Sequence, residues 1–306
     1  MPPRRASSFP VMKEAEGIVY IGGRYYAETE ARISVFDRGF LYGDAVFETL
    51  RAYGGTIFLA RRHVSRLFRS AELIGLKVPF SRGEMLGVLE RVLKRSGIGD
   101  AYMRVSVTRG AGAPGPVPDP AAAPSVVVIC RPVKPPPARA YERGVAVVTS
   151  RFRKAPPESF DSRIKSHSYL PNQLARMEAA RAGAFECLML DHRGRLAEGA
   201  MSNVFIVRGG TVLTPRSTGA ILEGTRRELA LRLARRLGIP AREDDVPSGA
   251  AARADECFIT SAVCEMLPVV RIDGRRVGGG APGEVTRRLH AEMRKEISRR
   301  CGTERD

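Results

Sequence analysis

A ten-residue stretch, RPVKPPPARA at 131–140, divides this chain more sharply than any other feature. Four of its residues are proline. Proline fixes φ, removes a backbone donor and biases the residue before it toward extended backbone, so neither a helix nor an inner strand runs through comfortably. The stretch reads as a linker between two folding units, with a long surface loop as the plainer alternative. The 306 residues suit two moderate domains. We place a small N-terminal one at 15–130 and a larger one at 141–298, with a flexible tail at 1–14 and a short tail at 299–306.

The pattern on either side is mixed. In GIVYIGGRYYAE (17–28), Gly22-Gly23 separates two short strands, a hairpin signal. From Arg61 to Ile74 the residues Val64, Leu67, Ala71 and Ile74 share a helical face, and Gly75 ends it. Ser81 and Glu84 have capping-box spacing for a helix reaching about Arg95. In 101–108, Met103, Val105 and Val107 point one way while Tyr102, Arg104, Ser106 and Thr108 point the other, which is a strand. SVVVIC (125–130) reads as a buried strand.

Beyond the prolines, GVAVVTS opens the second unit, and a helix runs from Tyr169 or Leu170 to Ala182, with Pro171 in its first turn. ECLML, the turn DHRG, NVFIV, the turn RGG and TVLTP read as a meander. An arginine-rich helix at 225–237 carries Leu229, Leu233 and Leu237 on one stripe, and ECFIT is a strand. VVRIDGRRV turns at Asp273-Gly274, and Val285, Leu289, Met293 and Ile297 recur every four residues in a last helix. Hairpins outnumber βαβ crossovers, so the fold class is α+β and not a doubly wound sheet.

Lys plus Arg is 50 against 33 for Asp plus Glu, a formal charge of +17. Such an excess suits nucleic acid, an anionic membrane surface or small anionic substrates, or reflects an arginine-rich composition. The arginines are spread through helical stretches such as Thr225 to Leu237, where Glu228 lies beside them, and form no single basic block; no recognition-helix motif accompanies them. A nucleic-acid partner is not expected. No run of 18 apolar residues exists, and MPPRRASSFP at the start lacks the apolar core of a secretory signal, so no membrane span is expected. The five cysteines are scattered without a CxxC pair, and the four histidines have no metal-ligand spacing. We expect a reduced, cytoplasmic protein without a metal. GxxxxGK[ST] is missing from the sequence, and the GxGxxG spacings at 110–115 and 278–283 lie in short Gly- and Pro-containing stretches outside any βαβ unit, so a nucleotide-fold reading has little support.

Several residues could carry chemistry. Lys165 sits in FDSRIKSHSYLP beside Arg163, Ser166 and His167. An amine becomes nucleophilic near neutral pH through a nearby cation or desolvation, and Arg163 is one candidate cation. A solvated surface lysine is the ordinary alternative. Glu198 and Asn203 lie in RLAEGAMSNVFIV at the head of a strand, where a buried carboxylate would need a cationic or donor partner. Gly224-Thr225 opens a helix, a phosphate site or a simple cap. Arg66, taken alone, is a solvated arginine. Asp37, Arg38 and Asp44 flank FLYG and suit a hydrogen-bonded turn. Tyr102 and Arg104 share a strand face and together suit a carboxylate.

Six blocks then fall in one order: DRGFLYGDAVFETLR (37–51), HVSRL (63–67), IKSHSYL (164–170), LAEGAMSNVF (196–205), ILEGTRR (221–227) and FITSAVCEMLPV (258–269). In this the chain resembles the class IV, fold-type IV pyridoxal-phosphate enzymes: branched-chain aminotransferases, D-amino-acid aminotransferases and aminodeoxychorismate lyases. The resemblance covers about residues 17–290. It implies pyridoxal 5'-phosphate as cofactor, a small and a larger domain with the active site between them, mostly antiparallel strands in the larger, and a homodimer. It also implies Lys165 as the Schiff-base lysine and proton carrier, Glu198 as the carboxylate at the pyridine nitrogen, and Arg66 as the phosphate arginine. Tyr169 corresponds to the tyrosine at the cofactor's phenolic oxygen. The backbone around Gly224, Thr225, Ser261 and Ala262 corresponds to the phosphate cup. Tyr42, Phe47, Tyr102, Arg104 and Val263 fall on the substrate side.

The chain departs from the family at two places. Arg226 stands where a threonine is common, and Ala262 where a hydroxyl often helps hold phosphate, with Val263 after it. Each lost hydroxyl removes a hydrogen bond of about 1–3 kcal/mol unless something replaces it. YMR at 102–104 resembles the branched-chain enzymes. The loop AGAPGPVPDP after TRG lacks the Arg-x-His of the D-amino-acid enzymes and the arginine of the lyases. The reading is transfer of an amino group between a hydrophobic or branched-chain L-amino acid and a 2-oxo acid. D-amino-acid transamination and lyase chemistry are the alternatives, and a degenerate member without catalysis a third.

Overall fold

The strand pattern in the first third of the chain closes into one antiparallel sheet. In the computed structural model, which describes residues 17–119 and 122–302, this sheet is built from β1 (Ile18–Ile21), β2 (Arg24–Ala27), β3 (Ala45–Tyr53), β4 (Thr56–Ile57), β5 (Ala101–Thr108) and β6 (Ser125–Pro132). Its order is β2-β1-β6-β5-β3-β4. The hairpin at Gly22-Gly23 forms as expected, with φ of 52° and 96° that suit glycine. Short helix α1 (Arg38–Tyr42) is capped by Asp37, whose carboxylate accepts from the Gly39 N–H at 2.8 Å, and Arg38 meets Asp44 at 3.1 Å. That is the turn expected of FLYG.

Helices α2 (Ala60–Leu73) and α3 (Arg82–Ser96) cover one face of this sheet. Their apolar stripes meet Leu50 and Met103 through Leu67, Met85 and Leu89, all fully buried. The Ser81–Glu84 capping box forms in both directions. Burying side chains of this size stabilises by about 1.5–3 kcal/mol each.

The second sheet holds nine strands: β7 (Val145–Thr149), β8 (Glu186–Leu190), β9 (Leu196–Gly199), β10 (Asn203–Arg208), β11 (Thr211–Pro215), β12 (Ala241–Asp244), β13 (Glu256–Ser261), β14 (Glu265–Ile272) and β15 (Arg275–Arg276). The order is β12-β11-β10-β13-β14-β7-β8-β9, with β15 on β14. The simple meander expected from ECLML to TVLTP does not form. LAEG is itself a strand, β9, and it takes the place beside β8. NVFIV therefore pairs with β13 and β11 instead. Three pairs are parallel: β7 with β8, β7 with β14, and β11 with β12.

Four helices accompany this sheet: α4 (Ala138–Arg143), α5 (Leu170–Arg181), α6 (Thr225–Arg236) and α7 (Glu284–Cys301). The proline stretch is structured at both ends, since β6 runs through Pro132 and α4 starts at Ala138. The last helix extends to Cys301, past the boundary at 298. The expected tail at 1–14 and residues 303–306 lie outside the described residues. No helix among the described residues is long and apolar enough to cross a membrane.

The two sheets meet along β3. Tyr53 and Phe58 bury into the core that α6 and α7 form over stacked Phe205 and Phe258. Strand β4 pairs only with Ala52 and Tyr53, which leaves the outer edge at Ala45–Glu48 for another segment. Residues 165–167 take it: Phe47 N–H donates to Lys165 O at 2.8 Å, His167 N–H to Ala45 O at 2.9 Å, and Val46 bridges Ser166.

Candidate functional site

That junction encloses a cavity of about 360 Å³. Lys165 enters it from the segment bound to β3, its own N–H fixed by Ser70 Oγ at 3.1 Å. The ammonium lies 4.6 Å from the Phe47 ring centroid and 5.8 Å from that of Tyr169. It makes no ion pair among the described residues. Burial above all, then the charge of Arg66, lowers its pKa to about 8, against the opposing pull of Glu48 and Glu198. The expected cation, Arg163, is not involved: it is exposed and pairs with Asp161 at 2.6 Å. Arg66 and Arg104, distant in sequence, are the cations that act on Lys165.

This has a pH consequence. A lysine with its pKa lowered to about 8 holds its neutral amine from about pH 8 upward instead of above 10. Cofactor captured on Lys165 by borohydride should form about tenfold faster per pH unit up to about pH 8, then level off. A rate still rising steeply at pH 10 would mean an ordinary amine.

At one side of the cavity stands Glu198 on β9. Its Oε2 accepts from Asn203 Nδ2 at 3.2 Å and Leu222 N–H at 3.0 Å, and its Oε1 meets Lys154 Nζ at 2.9 Å. Gly224 leaves room for this arrangement, because a Cβ there would lie 1.9 Å from Asn203 Oδ1. Tyr169 O–H donates to Ala200 O at 3.1 Å, with its ring edge-on to Phe47, and burial raises its pKa.

At another side is Arg66 on α2. It is buried, not solvated. Its Nε and Nη2 donate to Glu48 at 2.6 and 2.8 Å, and its Nη1 to Glu223 O at 2.7 Å. His63, one turn earlier, meets Glu48 at 2.8 Å and Thr225 Oγ1 at 3.2 Å. Desolvation alone would raise the Glu48 pKa, yet Arg66 and His63 hold it well below the carboxylate range. Each Arg66 Nη keeps one N–H beyond these bonds. Beside it α6 begins at Gly224 and Thr225 with no side-chain cap, and both residues line the cavity.

The substituted Arg226 is fully buried and turned inward over Phe58, 4.2 Å from its centroid. Its Nη2 reaches Tyr53 Oη and Ala262 O at 3.4 Å. Its Nε and Nη1 are enclosed without a partner. It also lines the cavity, with Nη2 turned toward Tyr53 and Ala262. Ser261 Oγ is also engaged, donating to Cys264 Sγ at 3.0 Å.

The remaining wall includes Phe47, Tyr102 and Arg104, and Val263 lines the same cavity. The Arg104 guanidinium lies 3.7 Å over the Phe47 ring. Burial first, and then Arg104, lowers the pKa of neighbouring His167 to about 4, so that ring stays neutral. Tyr42 is the exception among the expected residues. It does not line this cavity; its hydroxyl accepts from Gly115 N–H at 3.1 Å, under the Arg38 guanidinium.

Three lining or supporting residues escaped the sequence reading: Glu48, His63 and Lys154. The His63-x-x-Arg66 spacing and the lone acid in an apolar strand were usable signals for the first two. Nothing in RFRKAPP marks Lys154. The residues present suit pyridoxal phosphate: an amine of lowered pKa, a carboxylate fixed for a ring nitrogen, and a buried arginine with spare donors beside an uncapped helix start. Among the described residues no group of three His, Cys, Asp or Glu side chains could hold a metal.

Comparison with known proteins identifies the family. The family model for amino-transferase class IV matches residues 45–272. The chain is 37% identical to a Methanocaldococcus jannaschii protein named "Putative branched-chain-amino-acid aminotransferase", over 93% of this chain and 97% of that one. It is 34% identical to the aminodeoxychorismate lyase of Bacillus subtilis, over 92% and 94%. The solved structure of the Escherichia coli branched-chain amino acid aminotransferase superposes with a TM-score of 0.89 at 29% identity, covering 92% of this chain and 95% of that one. The chain belongs to the class IV aminotransferases and is a pyridoxal-phosphate-dependent enzyme of fold type IV.

Proposed function

We propose that this enzyme moves an amino group between a hydrophobic L-amino acid and a 2-oxo acid, with Lys165 as the catalytic residue. The observation that carries the reading is the cavity wall. Arg104 makes no ion pair among the described residues and stands beside Tyr102, ready for a substrate carboxylate. Around it the wall is Phe47, Phe160, Ile164, Met201 and Val263. The described part of the loop after Arg109 adds no second cation to this wall.

When bound, pyridoxal phosphate supplies the electron sink that makes a substrate Cα–H acidic. Lys165 would hold it through Nζ and, with its amine freed, would take the substrate Cα proton and deliver it to the cofactor's C4′ as general base and acid. A pKa of about 8 suits both directions near neutral pH. Glu198, steadied by Asn203 and the Leu222 N–H, would accept a hydrogen bond from the ring nitrogen and keep it protonated. Arg66 and the start of α6 hold the phosphate. Arg104 and Tyr102 hold the substrate carboxylate, and the aromatic wall excludes water.

The test is a panel of L-amino acids, D-amino acids and aminodeoxychorismate, with 2-oxo acid and pyruvate release measured separately. We expect leucine-like L-substrates to be preferred over their D-forms by at least about 100-fold in kcat/KM. A preference for D-alanine, or pyruvate release without an amino acceptor, would overturn the substrate assignment and leave the cofactor assignment standing. We further propose a cytoplasmic homodimer. Five free, buried cysteines support a reducing compartment, and the exposed side chains of Ile33, Val35, Phe36, Phe40 and Leu41 support a self-associating face. Light scattering should give twice the chain mass of 33.4 kDa.

A further inference from the structure

The cavity holds a second lysine with no part in the mechanism above. Lys154 follows β7, and its N–H is tied to Leu190 O at 2.8 Å, which sets its side chain beside Glu198. Its ammonium sits 2.9 Å from Glu198 Oε1, with the two side chains only 10% and 6% exposed. The other oxygen, Oε2, is committed to Asn203 and the Leu222 N–H. Oε1 is thus the oxygen left for a ring nitrogen, and Lys154 is already on it. We propose that Lys154 is an internal counter-ion for Glu198 that shares Oε1 with the cofactor's ring nitrogen, and so keeps the carboxylate oriented and compensated whenever the cofactor is away.

The physical argument is one of charge. A buried carboxylate that loses its only close cation is strongly destabilising, whereas a second cation brought to it restores the balance. The other charged groups facing Glu198 are Lys165 and Arg66, which act on it through space without touching it. Lys154 therefore matters most in the cofactor-free enzyme and least in the loaded one. A role in packing alone would matter equally in both. Lys154 is in this sense a positioning residue, acting through Glu198.

This inference rests on the assignment of Glu198 to the ring nitrogen. The test uses pyridoxamine 5'-phosphate, which cannot condense with Lys165, on the full chain stripped of cofactor. Lys154→Met should lower the Tm of the cofactor-free protein by about 5 °C. Saturating pyridoxamine 5'-phosphate should remove most of that deficit, and the variant should bind it at least about fivefold more tightly than wild type. Lys154→Arg should behave as wild type. In a Glu198→Gln background, Lys154→Met should no longer lower the Tm. If cofactor-free and loaded proteins lose equal stability, or if the variant binds the probe no more tightly, the counter-ion role is overturned. Should Lys154→Met fail to fold, Lys154→Gln carries the same comparison. Failure of the wild type to bind the probe at all would instead overturn the cofactor assignment.

Discussion

Lys165→Ala will lower kcat by at least about 10⁴-fold while leaving the protein folded. The loss is large because, in the proposed mechanism, one amine both attaches the cofactor and shuttles the proton. The fold survives because the segment is held by its backbone, through Phe47, Ser70 and Ala45, and not by the lysine side chain. Its Tm should hold or rise below pH 8, since burial disfavours the ammonium that the substitution removes. Lys165→Arg should be as inactive as the alanine variant, because a guanidinium keeps its proton. Lys154 cannot take over, being held at Glu198. Peptide mapping after borohydride reduction provides the check. Label on Lys154, or activity in either variant above one part in a thousand, would remove Lys165 from its assigned place.

Arg66→Met will have two separable effects. It removes the buried cation from Glu48, and that should destabilise the cofactor-free protein by about 3–5 kcal/mol. It also removes the side-chain donors assigned to phosphate, which should weaken pyridoxal phosphate binding by about 100-fold. Binding of pyridoxal, which lacks the phosphate, should change little. Adding Glu48→Gln to the variant should recover much of the stability and none of the phosphate affinity, as read by denaturant midpoints and by cofactor titration. Equal losses for pyridoxal and its phosphate would place Arg66 in the scaffold alone.

Much of this molecule is written in local pattern. The Gly22-Gly23 hairpin, the Ser81 capping box, the alternation in 101–108 and the four-residue repeat of the last helix all follow from short-range rules. Lys165, Glu198 and Arg66 became legible only through the order of blocks around them, since each alone looks like a surface charge. What stayed hidden depends on who meets whom across long separations. The partner of Arg66 is 18 residues away on a strand, and the cation near Lys165 is Arg66 instead of the adjacent Arg163. The β8–β10 meander failed for the same reason: LAEG reads as a polar turn until β8 needs an edge partner. Arg226 stands where the family often has a threonine, and a side chain of that length turns back over Phe58, which local pattern does not show.

The bridge between Val46 and Ser166 also bears on how the chain is made. Its two sides are separated by roughly 120 residues, so closing it carries a large loop-entropy cost and belongs late in folding. A nascent chain that has emerged only as far as β6 holds Glu48, His63 and Arg66 but leaves the outer edge of Ala45–Glu48 uncovered. Open apolar edges of that kind invite pairing with other chains. The lysine segment is thus also the cover for that edge, and the amine proposed to hold the cofactor reaches its place in the same step that shields the first sheet from aggregation.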